Sequence, residues 1–422
     1  MIRIVLFLMP LWGFQNVIAA LNIDITQVME SALPIAIVPF GLEVNGLPVQ
    51  EDIAMIISND LGRSGRFSVL QNTQHPEKPH NPAQLNIAMW RELTRYVVLG
   101  TVQATGNNYA VTFHLINVVD GQTMLSQSLP SARSNLRKTA HKISDLIYQT
   151  LTGEMGVFNS QIAYITTHKT PKGKQYRLQV SDFDGFNAKI IVQGDEPILS
   201  PAWSPDGRRL AYVSLENKRM AIYVHDIYSN FRDQMSAHQG LNSSPAWSPD
   251  GTKLAMTLSK DGNAEIYVLD LKTKSLQRLT HDQAIDTEPA WSPDGKMIIF
   301  TSDRGGKPQI YQMLSKGGTA QRLTFQGVYN ARASFSPKGQ RLVLINGDGA
   351  AYRIAIFENG QMRVLSDTAI DKSPSFSPNG NMVMYASQRS LVVVSSDGRV
   401  RQRISVNAGA EVRESAWSPH IP

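Results

Sequence analysis

Short apolar runs alternating with turn residues fill the C-terminal part of the chain. Runs 209–214, 253–257, 297–301, 341–345 and 382–385 each follow one eight-residue phrase, at Ser200–Gly207, Ser244–Gly251, Glu288–Gly295, Arg332–Gly339 and Ser373–Gly380. A sixth, partial copy is Glu414–Pro419. Its aromatic position is occupied by Trp203, Trp247, Trp291, Phe335, Phe376 and Trp417, at intervals of 44, 44, 44, 41 and 41 residues. Such a period with short strands is that of a four-stranded propeller blade. Ser-Pro-Asp-Gly spells a type I turn, with Pro presetting φ and Gly closing the turn. It predicts a hairpin between a short Ala-Trp-Ser strand and the apolar run. A third strand is read in Ala221–Asp226, Glu265–Asp270 and Gln309–Gln312, and a polar fourth in Gln277–Thr280 and Gln321–Thr324.

Three further strand-like runs, Ile162–Thr166, Tyr176–Ser181 and Lys189–Val192, lack the phrase, whereas Ser415–Pro419 supplies a first strand with no successors. Joined, they complete a sixth blade, and closing the ring removes exposed sheet edges. The expected architecture is an α/β N-terminal domain followed by an all-β six-bladed β-propeller closed by the C-terminal strand.

From Leu33 to about Gly153 the periodicity mixes two and 3.6. Pro34–Phe40 and Arg66–Leu70 read as strands, and 51–61 as a helix with Glu51 and Asp52 in its first turn and Ile53, Ile56 and Ile57 on one face. A short helix at 85–93 leads to strands 96–103, 109–119 and 123–129. Ser134 is expected to cap a helix bearing Leu136, Ala140, Ile143, Ile147 and Leu151, stopped by Gly153. The predicted segments are a signal peptide at 1–20, a partner-binding tail at 21–32, the α/β domain at 33–155 and the propeller at 156–422.

Residues 1–20 carry Arg3, then the apolar Ile4–Trp12, then Ala19 and Ala20, the order of a secretory signal. The apolar run is too short to span a bilayer, which takes about 20 residues. The chain holds no Cys, which excludes a Cys-linked lipid, disulfides and thiolate metal sites. Export without disulfides fits a Gram-negative periplasm. The net charge is +6, from 41 basic and 35 acidic residues, without a Lys/Arg block of nucleic-acid type.

No catalytic constellation is read, and no cofactor or metal pattern. Gly62-Arg-Ser-Gly65 lacks the spacing of a nucleophile elbow and follows a helix instead of preceding one. His75 and His80 flank a polar loop, where a shared metal is the weaker reading. Asp206, Asp250 and Asp294 hold the third turn position, taken elsewhere by Lys338 and Asn379, so they are read as turn residues. The repeated aromatics are read as packing between blades. What remains is a surface. Residues at one offset before each inner strand converge on one mouth of the channel, and their side chains are irregular where the strands are regular, which suits one asymmetric protein partner.

These features together resemble the TolB family of the periplasmic Tol-Pal system. The resemblance rests on 177–185, 200–213, 287–291, 300–303 and 308–311 together with the domain order. It implies a non-enzymatic, monomeric adaptor between TolA of the inner membrane and the peptidoglycan-associated lipoprotein Pal, supporting outer-membrane invagination during division and envelope integrity. Other outer-membrane or peptidoglycan-associated proteins are further candidate partners; nucleic acid is not.

Carried over, the Pal-binding mouth falls on Leu241, Asn242, Ser243, Asp286, Thr287, Glu288, Asn330, Arg332, Asp371 and Lys372. Thr287 and Glu288 are the leading contacts. The TolA-binding tail falls on Leu21, Asn22, Ile23, Asp24, Ile25 and Thr26, whose period-two pattern suits strand addition to another protein's sheet and equally an edge strand of the N-terminal domain. A His associated with this mouth in the family aligns with Leu241, and the copy at Phe335 reads Phe-Ser-Pro-Lys-Gly. Two rival readings are a propeller-type protease, for which the chain after Pro419 leaves no hydrolase domain, and a small-ligand or ion sensor, which would need charged or aromatic groups deep in the channel.

Overall fold

The computed structural model describes residues 23–25, 32–43, 49–406 and 410–420. The expected signal peptide lies outside the described residues, as do Leu21, Asn22 and Thr26 of the tail. No described helix is long and apolar enough to cross a membrane.

The N-terminal domain is a mixed sheet in the order Phe67–Leu70, Leu33–Ile37, Tyr96–Thr105, Asn108–Asn117, Gln122–Ser131. The first three run parallel and the rest antiparallel. Alternation along the strands decides the layers. Ile35, Ile37, Val98 and Phe113 bury against helices on one face, whereas Ala36, Val38, Val97 and Leu99 bury against Trp90 on the other.

Helix α1 spans Ile53–Arg63, later than expected, because Asp52 is its N-cap and its Oδ1 accepts from Met55 N at 3.0 Å. Helix α2 is only Ile87–Arg91, since Pro82–Gln84 winds as a separate 3-10 turn. Helix α3 spans Leu136–Thr152 and is not capped by Ser134: a 3-10 turn over Arg133–Asn135 displaces the start, and Ser134 donates to Asn135 Oδ1 instead. Gly153 ends α3 as expected, with φ 74° and its N–H on Gln149 O.

Six four-stranded blades follow. Blade one is Ile198–Trp203, Arg209–Ser214, Ala221–Asp226 and Arg232–Ser236; blades two, three, four and five begin at Asn242, Asp286, Tyr329 and Asp371. The closing blade joins the C-terminal strand Glu411–Trp417 to Gln161–Thr170, Gly173–Asp182 and Lys189–Gly194. The ring thus closes as the split phrase predicts.

The turn chemistry follows the residues. Gly207 N donates to Ser204 O at 2.9 Å, and Asp206 accepts from Ser204 Oγ and, at 3.0 Å, from Arg208 N. The repeated Trp joins neighbouring blades. Trp203 Nε1 donates to Ala416 O, Trp247 Nε1 to Ala202 O and Trp291 Nε1 to Ala246 O, at 3.1 to 3.2 Å. At the seam Trp417 Nε1 reaches Ser160 Oγ at 2.6 Å.

The two domains share one core. Tyr148, Phe158, Phe183, Met384, Val393 and Trp417 belong to the same buried cluster as the inner faces of α1 and α3. Across it runs an ion-pair network: Asp60 accepts from Ser144 Oγ and contacts His141 Nδ1, both at 2.7 Å, while Asp184 of the closing blade takes Arg137.

The tail also has a place. Ile23–Ile25 pairs antiparallel with Val400–Gln402, the outermost strand of blade five, as a fifth strand.

Candidate functional site

The inner strands are longer than the three-residue segments expected, and they include the residues assigned to mouth loops. Blades one to five carry a break in register two or three residues into the strand, between Leu199 and Ala202, Ser243 and Ala246, Thr287 and Ala290, Ala331 and Ser334, and Lys372 and Ser375. At each break one non-glycine residue is left-handed: Ser200, Ser244, Glu288, Arg332 and Ser373, with φ between 50° and 57°. This conformation costs a side-chain-bearing residue about 1 kcal/mol or more. The gain is that a bulge re-aims a side chain. Here these residues, with Glu414, line the channel, a cavity of about 300 Å³.

Three of the freed N–H groups are met by the preceding blade. Ser200 N donates to Glu414 Oε2 at 2.7 Å, Glu288 N to Thr257 Oγ1 at 3.2 Å and Arg332 N to Glu288 Oε2 at 2.9 Å. Arg332 then crosses the channel, with Nη2 on Glu414 Oε2 at 3.1 Å, Nη1 on Ser373 Oγ at 3.1 Å and Nε 3.4 Å from Glu288. Burial would push the guanidinium down, but Glu414 and Glu288 push it up instead. It is a permanent internal cation holding three blades.

The expected mouth residues divide into two sets. Asn242, Asp286, Asn330 and Asp371 are buried and tie down the loops, so they do not face a partner. Asn242 accepts from Ser236 Oγ at 2.7 Å and donates to His238 O at 2.7 Å; Asp286 takes Arg304 at 2.6 Å; Asn330 donates to Gln309 Oε1 and Gln326 O; Asp371 accepts from Thr368. Leu241, Ser243, Thr287, Glu288, Arg332 and Lys372 keep surface in or beside the channel. Glu288 is already engaged by Arg332 and Thr301 Oγ1, which makes it a poorer probe of partner contact than the sequence suggests.

Sequence reasoning missed the apolar part of the mouth. Ile285, Phe325 and Ile370 are 53%, 71% and 64% exposed, and Val328 and Tyr352 are also open. Each of Ile285, Val328 and Ile370 stands directly before an inner strand, and Tyr352 N donates to Ala369 O, so all sit on the mouth side of blades three to five. The available signal was one large apolar residue in an otherwise polar loop at a constant offset. Large exposed hydrophobics gathered around a polar centre mark a protein interface.

His75 and His80 have separate contacts, His75 edge-on to Trp90 at 5.2 Å and His80 against Gly41. Among the described residues one other group, His141, Asp182 and Asp184, has metal-like proximity. Burial alone would lower the His141 pKa, but Asp60 and Asp184 raise it to about 10, and each ring nitrogen already faces a carboxylate, Nδ1 that of Asp60 at 2.7 Å and Nε2 that of Asp184 at 3.4 Å. His141 and the Arg137 guanidinium supply the positive charge there.

The sequence model of the TolB beta propeller domain matches residues 148–421, and that of the TolB amino-terminal domain matches 21–124. The chain belongs to the TolB family. The Tol-Pal system protein TolB of Thioalkalivibrio sulfidiphilus is 58% identical over 96% of this chain and 94% of its own, and that of Methylococcus capsulatus 55% over 96% and 95%. The crystal structure of TolB from Acinetobacter baumannii superposes with a TM-score of 0.87 at 40% identity, covering 95% of this chain and all of that one. As a TolB-family protein it is a periplasmic component of the Tol-Pal system, and the family is not enzymatic. That excludes the protease reading.

Proposed function

We propose that this TolB-family chain is exported by the signal peptide at 1–20 and links Pal, bound at the propeller mouth, to TolA, bound by the tail, in support of outer-membrane invagination and envelope integrity. The observation that carries the reading is the mouth itself, where exposed Ile285, Phe325 and Ile370 stand on the rim of blades three to five beside a channel crossed by Arg332. Within the expected site, Leu241, Ser243, Thr287 and Lys372 are the contacts, and the buried Asn242, Asp286, Asn330 and Asp371 position them.

The tail supports the second half. Ile23–Ile25 occupies a sheet edge of its own propeller, and TolA would offer the tail a competing edge. If Pal favours the docked tail, TolA weakens Pal binding by the same factor that Pal weakens TolA binding.

Calorimetry of the mature chain with the soluble domain of Pal from the same organism tests the mouth. Phe325→Ala and Thr287→Lys are expected to weaken binding at least tenfold, about 1.4 kcal/mol. Absence of wild-type binding, or unchanged affinity in both variants, overturns the site. Equal affinities with and without the TolA domain overturn the linkage.

A further inference from the structure

On the mouth side, between blade five and the closing blade, lies a groove of about 1040 Å³. One wall is the closing blade's hairpin, Gln161–Thr170 and Gly173–Asp182, whose strands run ten residues where neighbouring blades use about six. The other wall is the turn at Gln388 and Arg389, with Lys372 and Ile370 at the end toward the channel.

The charge of this groove is one-sided. Lys169, Lys174, Lys372 and Arg389 line it, and Lys172 stands at the hairpin tip. All five are exposed, and none has an ion-pair partner among the described residues. The one lining carboxylate, Glu411, is within 3.4 Å of Arg413. Elsewhere on the mouth side Arg304 pairs with Asp286 and Asp282, and Arg332 with Glu288 and Glu414. Five exposed cations thus gather around this one groove.

The hairpin makes the excess costly. Lys169 and Lys174 are direct cross-strand partners. Like charges facing each other destabilise a sheet. An anion between them would reverse that sign. Four of the five cations are Lys, which act as flexible point charges and suit several carboxylates along a chain more than one planar fork. The floor, with Ile370, Ala386 and Val412, is apolar enough to carry a peptide's non-polar atoms.

We propose that this groove receives an acidic, extended peptide segment of the protein that seats on the mouth, and that it speeds and orients that docking. The inference rests on the mouth reading, because Lys372 and Ile370 make groove and mouth continuous. Electrostatic complementarity at a rim acts on association rate and salt dependence more than on dissociation.

The test is stopped-flow association of the full mature chain with the soluble domain of the lipoprotein, from 20 to 500 mM salt. The variants are Lys169→Glu/Lys174→Glu and Arg389→Glu, with Phe325→Ala as the mouth control. Charge reversal is expected to slow association at least tenfold at low salt and flatten its salt dependence, with dissociation changed less than twofold; Phe325→Ala is expected to act on dissociation. Association that is unchanged by charge reversal at every salt concentration overturns the groove and leaves the mouth reading standing. Should the wild type fail to bind the lipoprotein, the mouth reading falls. A labelled octaglutamate then decides for the groove alone: binding lost on charge reversal supports it, and no binding overturns it. Preferential binding of anionic phosphatidylglycerol vesicles over the peptide also overturns it.

Discussion

Arg332 shows how one residue can be structural and stand in a binding site at once. It accepts a left-handed backbone, has its N–H capped by Glu288, and extends its guanidinium to Glu414 across the ring. Replacing it with Met would leave two largely buried carboxylates unneutralised, a loss of about 3–5 kcal/mol for a fully buried pair. With Arg332 about a quarter exposed, the expected loss is about 1–3 kcal/mol, seen as a lower urea midpoint. Adding Glu288→Gln should recover part of it; a single variant as stable as wild type contradicts the internal role. The sequence shows Glu288 and Arg332 at equivalent offsets of successive repeats, which is enough to place both at the mouth. It does not show that they contact each other, since that depends on the bulge turning both side chains inward.

At the scale of elements, the repeats were legible because turn chemistry and period are local. Ser-Pro-x-Gly, with Asp, Lys or Asn at the third position, sets each of the five hairpins whatever surrounds it. Boundaries that depend on competition were not legible: Asp52 outcompetes Glu51 as the start of α1, and a 3-10 turn displaces Ser134 from the start of α3. The tail is the clearest case. Its alternation at Leu21–Thr26 equally permits an edge strand of the N-terminal domain or a tail for another protein's sheet, and the structure instead pairs Ile23–Ile25 with Val400–Gln402 of the propeller, because the alternation does not say which sheet edge is within reach. Hydrogen exchange should therefore be faster over 400–402 when residues 21–26 are deleted, with the inner strands of blade five unchanged. Equal protection in both chains contradicts the pairing.

For the whole molecule, the continuous core and the ion-pair network predict that both domains unfold in one transition. Its pH dependence has a definite sign. Folding raises the His141 pKa from 6.5 to about 10, so the stabilisation is complete below pH 6.5 and is lost as pH rises toward 10. Asp145, pushed by burial to about 7, loses stability over a lower window and is flat above it. The urea midpoint should therefore fall between pH 7.5 and 10, and His141→Gln should flatten that fall. A wild-type midpoint constant over this range contradicts the charged assignment.

The amino-acid sequence by itself determined the α/β domain, the six repeats, their closure by the phrase at Ser415–Pro419 and the end of the ring at which variable residues gather, because periodicity and turn residues act over a few positions. Only the tertiary structure decided which of those residues face outward. Asn242 and Asp286 are swallowed by loop hydrogen bonds, and Phe325 and Ile370 are left exposed. The reason is physical: a polar side chain with enough local partners buries at little cost, and an apolar one is shielded only where a neighbouring element reaches it. Neither condition can be read from spacing along the chain.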